Sequence, residues 1–471
     1  MTVAGSLAER LDRLRSTGSA EYAGFPVATL LWAEAESAGG VPTRRIRQRD
    51  PLALRILNRL QREWRQRISG EWLHWRTGDA VFLPGLDNNL NPMLPVMQEL
   101  DRRGRSLHMV LPETARGWRN LRRTPETCTR SIDRRVDLQA SPLAEEALQA
   151  FTAELDSFLE GTDDRLRRWL LKRARERIAR IEYIRRRIRQ RRPACFLSSR
   201  PKRDVPLAYL VAAWLEGVPC VLLLHTAAIE HPTDKRAWPD DLFGLFSLMV
   251  VHSTTMRDAL RTAFPSCEVI ASGWGTTPHR ADAAAAAGRA DDRLHVGYPL
   301  GGDHELVEPL ARAAQRNNFL LVIKGRPPGG DRGAIQANVP AEAQGHVRVY
   351  AHGDIDLTTF LADLDILVAG RTNVGFEAME FDLPVISLLS ERERVEYERR
   401  AVEPRDFASE CLDSVAEVDA SIARLETLSE GARSRRCAQQ RRRYRAAFPP
   451  YAVEPVADRI ESLMESQSAC S

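Results

Sequence analysis

The sequence contains no apolar run long enough to cross a bilayer. About 20 consecutive apolar residues are needed, and the best candidate, Ala208 to Leu224, is broken by Glu216, Gly217 and Pro219. The amino terminus, MTVAGSLAERLDRLRS, lacks the charged-then-apolar order of a secretory signal, so a cytoplasmic location is expected. Cysteine is scarce and unpatterned. The seven residues Cys128, Cys195, Cys220, Cys267, Cys411, Cys437 and Cys470 are scattered, odd in number and free of any Cys-x-x-Cys pair. That spacing argues against a disulfide framework or a structural zinc site and for reduced thiols. No sign of charge dominates either: 68 Lys and Arg against 64 Asp and Glu leave a net charge of +4, so the chain as a whole is not a polycation. HExxH, GxSxG and Walker A motifs are missing, and no DxD pair stands in a convincing context.

What remains is an ordinary globular composition, 43% hydrophobic and 28% charged, spread over a chain long enough for two or three domains. Residues 1–78 read as a helical extension, and from Thr43 to Trp75 basic residues alternate with Leu, Ile and Trp at helical spacing. Strand-like apolar runs follow at Asp79–Pro84 and Leu107–Leu111, joined by a helix that Asn91 and Pro92 are suited to start. Residues 114–192 interrupt this rhythm as a mostly helical insertion. It ends in an arginine-rich helix with one stripe of Leu166, Leu170, Ile178, Ile181, Ile184 and Ile188. Strands resume at Ala194–Ser198, Cys220–Leu224, Leu248–Val251 and Val269–Ser272, completing a first α/β unit over 79–280. After the linker-like RADAAAAAGRADD, a second α/β unit occupies 281–450, with strands at Leu294–Tyr298, Leu320–Ile323, Val347–Tyr350, Ile366–Ala369 and Val385–Leu388. A terminal helix lies within 451–471. The expected fold is α/β, two Rossmann-like domains facing across a cleft, with the helical extension and the arginine-rich insertion added.

Within the second unit, ILVAGRTNVGFEAMEFDLPVISL compresses a buried strand, a polar turn, a helix and another strand into residues 366–388. Thr372 or Asn373 can cap the helix, and Asn373 and Glu377, four residues apart, share one of its faces. The turn sits at the carboxyl edge of a parallel sheet, where such folds take their ligands. A helix amino terminus there favours an anion, so the turn suits a phosphate.

This segment resembles the donor-binding segment of the GT-B glycosyltransferases, in which a small polar turn precedes a helix bearing a glutamate, then a proline and a strand. FLLVIKGRPPGG, residues 319–330, is similar to the strand and basic-Pro turn of bacterial capsule-polysaccharide and teichoic-acid-type transferases. Here it reads Lys324-Gly325-Arg326-Pro327 in place of the usual lysine-proline-histidine-proline. PCVLLLHTAAIEHP and DLFGLFSLMVVHSTTMRDAL resemble that family's strand-histidine turn and following strand, without the glycine that often follows the histidine. The resemblance implies a nucleotide-sugar donor held by Lys324, Arg326, His352, Arg371, Thr372, Asn373 and Glu377, with the basic groups and the turn on the diphosphate and Glu377 on the ribose hydroxyls. It implies no cofactor and no obligatory metal, because helix dipoles and basic side chains stabilise the departing diphosphate. Asp87, after the first strand, is the candidate general base for an acceptor hydroxyl, and an Asx turn is its other reading. His225, at a strand end, would meet donor or acceptor.

The expected activity is therefore transfer of a sugar from a nucleotide sugar to a cell-envelope or polysaccharide-type acceptor. A sugar-nucleotide epimerase and a CDP-polyol phosphotransferase use the same fold, and a non-catalytic basic scaffold is the alternative of another class. Nucleic acid is not an expected partner: the basic segments carry few aromatic residues beyond their tryptophans and no reader motif. Trp64, Trp72 and Trp75 beside Arg62, Arg65 and Arg67, and Ile184 and Ile188 beside Arg185, Arg186, Arg187 and Arg189, suggest docking on an anionic membrane at the inner face, where a lipid-linked acceptor would lie. The same stripes could instead pack on the first domain.

Overall fold

A computed structural model describes residues 14, 18–31, 74–112, 115, 118, 120–133, 141–158, 164–202, 204–224, 231–233, 238–273, 292–300, 304–325, 332–351, 353–370, 372–389, 393, 402–427 and 430–469. A short antiparallel pair, β1 (Glu21–Tyr22) and β2 (Phe25–Pro26), precedes the first domain. That domain holds β3 (Ala80–Leu83), β4 (Leu107–Pro112), β5 (Thr129–Asp133), β6 (Cys195–Ser198), β7 (Cys220–Leu223), β8 (Leu248–Val251) and β9 (Glu268–Ala271). They form one seven-stranded parallel sheet in the order β5-β4-β3-β6-β7-β8-β9. The second domain holds β10 (His295–Pro299), β11 (Leu320–Lys324), β12 (Val347–Tyr350), β13 (Ile366–Ala369), β14 (Val385–Leu388) and β15 (Glu410–Leu412). Its six strands are also all parallel, in the order β12-β11-β10-β13-β14-β15.

Both sheets are covered on both faces, which is why their strands are apolar almost throughout. Period-2 alternation divides them cleanly. In β3, Val81 and Leu83 enter the core beneath the helices Pro142–Phe158, Asp164–Gln190 and Asp204–Leu215, while Ala80 and Phe82 enter the opposite core with the helix Leu94–Arg102. In β13, Ile366 and Val368 face the core of the helix Val307–Asn317, and Leu367 and Ala369 face that of the helices Val374–Glu380 and Glu430–Ala447.

Three expectations change. The insertion 114–192, expected to be mostly helical, also contains a strand, because Thr129–Asp133 pairs with β4 as the edge strand. Its text, TRSID, holds one apolar residue and gives little period-2 signal. It is accepted at the sheet edge because Ser131 Oγ reaches buried His108 Nε2 at 2.8 Å. β15, Glu-Cys-Leu, is too short to show a strand period. The third change concerns the membrane. Trp75 is 1% exposed, donates from Nε1 to the Arg191 carbonyl at 2.7 Å and packs edge-on against Phe196 and Tyr209. Ile184 and Ile188 are buried in the same core, and Arg185 and Arg189 reach Glu216 at 2.6 and 2.8 Å. An amphipathic stripe already packed against the helix Asp204–Leu215 has no apolar face left for an acyl layer. Trp64, Trp72, Arg62, Arg65 and Arg67 lie outside the described residues. Among the described residues no helix is long and apolar enough to cross a membrane.

The chain ends by returning to the first domain. The helix Glu454–Ala469 packs Val456, Ala457, Ile460 and Met464 beside the helix Leu94–Arg102. Arg103 Nη1 reaches Asp458 and Glu461 at 2.6 and 2.7 Å.

Candidate functional site

In open parallel sheets the ligand crevice lies where strand order reverses. The first sheet reverses between β3 and β6 and the second between β10 and β13. The turn Gly370–Asn373 leaves β13 at the second reversal, and Asp87 follows β3 at the first.

The turn is built from its own backbone. Thr372 N–H donates to the Gly370 carbonyl at 2.9 Å, and Gly375 N–H to the Thr372 carbonyl at 3.1 Å. Asn373 occupies the N-cap position but its side chain makes no capping bond, whereas Thr372 Oγ1 accepts from Val374 N–H at 3.4 Å. The helix that follows, Val374–Glu380, has only seven residues, so its dipole is small and an anion would rely on the turn's amides and side chains. A Cβ on Gly375 would meet Pro404 Cβ at 2.7 Å, which seats this helix closely on the following segment.

Asn373 and Glu377 do share a face, and that face looks across the interdomain cleft. A cavity of about 180 Å³ lies there, lined from the second domain by Asn373 and Glu377. The first domain supplies Leu223 and Leu224 at the end of β7, Val250 and His252 at β8, Ser272 after β9, and Asn91, Pro92, Pro95 and Val96 at the start of the helix Leu94–Arg102. Tyr451 and Val456 of the returning carboxyl-terminal segment complete it. That segment crosses at the floor, where Ala452 N–H donates to the Ser272 carbonyl at 3.2 Å. His252 Nδ1 lies 3.0 Å from the Gly273 carbonyl. Burial lowers its pKa to about 4, and the Gly273 and Leu224 carbonyls offset that only in part, so at neutral pH the ring is uncharged.

Other expected site residues stand elsewhere. Lys324 ends β11, and its Nζ donates to the Ile355 carbonyl at 2.6 Å. Burial lowers its pKa, against Asp356 and Asp354, which raise it. Asp87 Oδ1 accepts from Asn120 N–H at 3.0 Å, and the Asp87 carbonyl accepts from Asn120 Nδ2 at 3.1 Å. These bonds, between residues 33 apart in sequence, tie the turn to the 120–123 segment. Neither Lys324 nor Asp87 lines the 180 Å³ cavity. His225, Arg326, His352 and Arg371 lie outside the described residues.

Two residues escaped the sequence reading. His252 stands in the quoted VVHSTT run at a strand's carboxyl end, a position that could have been weighed with His225. Asn89 is fully buried with neither Oδ1 nor Nδ2 bonded, although its carbonyl accepts from Ser199 Oγ at 2.9 Å across the first reversal point. Buried amides are nearly always paired, so its unsatisfied side chain at a ligand-type position is a functional signal. GLDNNLNP offers too many asparagines to single it out.

No protein-family model and no curated protein matches the sequence. Solved structures do match. The calicheamicin glycosyltransferase CalG4 aligns with a TM-score of 0.51 at 15% identity, covering 83% of this chain and 99% of its own. A UDP-GlcNAc 2-epimerase from Neisseria meningitidis, solved bound to UDP-GlcNAc, aligns at 0.50 and 14%, covering 83% and 100%. A UDP-glucosyltransferase from Polygonum tinctorium aligns at 0.50 and 13%, covering 83% and 100%. The fold is GT-B. At these identities the likeness carries the two-domain architecture and leaves the chemistry to the site.

Proposed function

We propose that this protein transfers a sugar from a nucleotide-sugar donor to an acceptor hydroxyl. The observation that carries the reading is the cleft, in which Asn373 and Glu377, beside the turn after β13, face the strand ends of the first domain across one cavity. The solved proteins of this fold include glycosyltransferases and a protein bound to a nucleotide sugar. In this reading Lys324, Arg326, His352, Arg371, Thr372 and Asn373 hold the donor's phosphates and sugar, and Glu377 accepts from the ribose hydroxyls. The acceptor oxygen attacks the anomeric carbon as the bond from that carbon to the diphosphate oxygen breaks. The nucleoside diphosphate leaves with the electron pair, and the acceptor proton passes to a base, for which Asp87 is the candidate and His225 the second. No metal is required where cationic and amide groups meet the developing charge. A cell-envelope or polysaccharide-type acceptor rests on the Lys324–Pro327 turn alone.

A thermal-shift panel of UDP, GDP, CDP and dTDP identifies the base, since a ligand at about a hundred times its Kd adds ~2.7 kcal/mol of stability. The matching nucleotide sugars are then incubated with and without an acceptor mixture. Release of nucleoside diphosphate with a sugar-bearing acceptor supports transfer. An altered sugar nucleotide formed without acceptor is the epimerase outcome, and a transferred polyol phosphate is the phosphotransferase outcome. No stabilisation by any nucleotide overturns the donor-site assignment.

A further inference from the structure

We infer that the second domain carries a further binding site, away from the interdomain cleft, for a phosphorylated small molecule. A cavity of about 580 Å³ lies between one face of the helix Glu430–Ala447 and the amino edge of the second sheet, where Asp365 precedes β13 and Asp382, Leu383 and Pro384 precede β14. The turn Gly370–Asn373 leaves β13 at the opposite, carboxyl edge, so the depth of the sheet separates the two places. The volume falls in the ~300–1,000 Å³ range of ligand pockets. The inference stands independently of the transferase reading.

Ser434, Ala438, Arg441, Arg442 and Arg445 line the cavity at the spacing of a single helical stripe, so three guanidinium groups open into one space. Like charges three and four residues apart disfavour a helix, and an anion between them relieves that repulsion. Two of the three are already oriented: Arg441 pairs with Asp382 and Arg445 with Glu380, each through Nη2. A guanidinium has five N–H donors. Each of these two therefore keeps donors for a ligand while its carboxylate partner holds the fork in place, which lowers the ordering cost of binding. Arg442 is exposed and makes no ion pair with a described residue. The remaining carboxylate of the wall, Asp365, serves the sheet edge, where its Oδ2 accepts from His295 N–H at 2.9 Å. Three forks outnumber the two oxygens of a lone carboxylate, whereas a phosphate or diphosphate offers each an acceptor. Ser434 Oγ adds a further donor, and Leu383, Pro384 and Ala438 form an apolar floor for the uncharged part of the ligand.

The test titrates inorganic pyrophosphate calorimetrically into the full-length chain at low salt, alongside the variants Arg442→Glu and Ala438→Glu. Both positions are exposed, and Ala438→Glu places a carboxylate four residues before Arg442, where the pair supports the helix and fills the anion's place from within. Each variant should weaken pyrophosphate at this site at least tenfold, the worth of one charge-assisted hydrogen bond. Neither should change nucleotide affinity or lower the urea midpoint. In the wild-type chain the site's affinity should fall as salt rises. Stoichiometry keeps this site apart from the donor turn. Two pyrophosphates per wild-type chain and one per variant chain support both sites. One in the wild type that both variants lose supports this site and removes the diphosphate grip from the donor turn. One that both variants keep belongs to the donor turn and overturns the inference. A wild-type chain that binds none overturns it as well, and so does a loss confined to one variant, since both act on one cavity.

Discussion

Glu377 is the one formally charged residue among the described residues that line the cavity, and that makes it the most informative single residue. If it accepts from ribose hydroxyls, Glu377→Gln weakens nucleotide binding by roughly tenfold or more, since hydrogen bonds to charged groups contribute ~1.5–3 kcal/mol. Binding of free pyrophosphate is unaffected. Calorimetric titrations with both ligands check this, and equal losses for the two would point to the helix rather than to the ribose contact. Asp87→Asn tests the base: the amide can still accept from Asn120 N–H, so the turn survives. Transfer should fall by ~10²–10⁴ at unchanged nucleotide affinity. A variant that is destabilised but turns over normally would assign Asp87 to the turn. Asn89 predicts an exchange of stability for function. Replacing a buried, unbonded amide with an apolar group of similar size removes a desolvation cost, so Asn89→Leu should hold or raise the urea midpoint while lowering turnover.

At the scale of elements, the helix Glu430–Ala447 fixes the turn's helix from behind. Gln440, 1% exposed, accepts from Val385 N–H at 3.1 Å and donates to the Leu383 carbonyl at 2.8 Å, closing the loop between Val374–Glu380 and β14. Arg441 and Arg445 pair with Asp382 and Glu380 beside it. Gln440→Leu leaves a buried N–H and carbonyl unpaired, at about 1–3 kcal/mol each. The urea midpoint should drop, and nucleotide affinity should drop with it because Asn373 and Glu377 ride on the same helix. Unchanged affinity in a destabilised variant would separate the two elements. Gly273 plays the corresponding part in the first domain. Its φ of +78° lies in the left-handed region, and an added Cβ would collide with the Pro449 carbonyl. Gly273→Ala therefore displaces the crossing segment that carries Tyr451, and faster proteolysis of the terminal helix would report it.

For the whole molecule, two histidines set a pH limit. Burial lowers the pKa of both His108 and His252 to about 4, against ~6.5 in an unfolded chain. Above pH ~6.5 both are neutral in either state and folding bears no protonation penalty. Between ~6.5 and ~4 the unfolded chain takes up protons that the native state refuses, so stability falls as pH falls, and below ~4 the loss is complete. Each histidine accounts for on the order of 3 kcal/mol. Urea midpoints across this window should decline steadily, and His108→Gln, which can still bond Ser131, should flatten the slope.

The sequence alone determined the two α/β units, most strand positions, and the joint placement of Asn373 and Glu377. Those features follow from local periodicity, and a buried parallel strand or a four-residue helical spacing is written in adjacent letters. Tertiary structure decided the rest. Thr129–Asp133 and Glu410–Leu412 are strands because a neighbour pairs with them, which polar text in the first and a three-residue run in the second do not reveal. Ile184 and Ile188 pack on the first domain rather than on lipid because a partner helix covers their stripe, and an amphipathic pattern reads the same in both settings. The cleft gathers residues 91, 252, 272, 373 and 451, which are remote in sequence, and only the crossing of the two sheets and the returning chain brings them to one cavity.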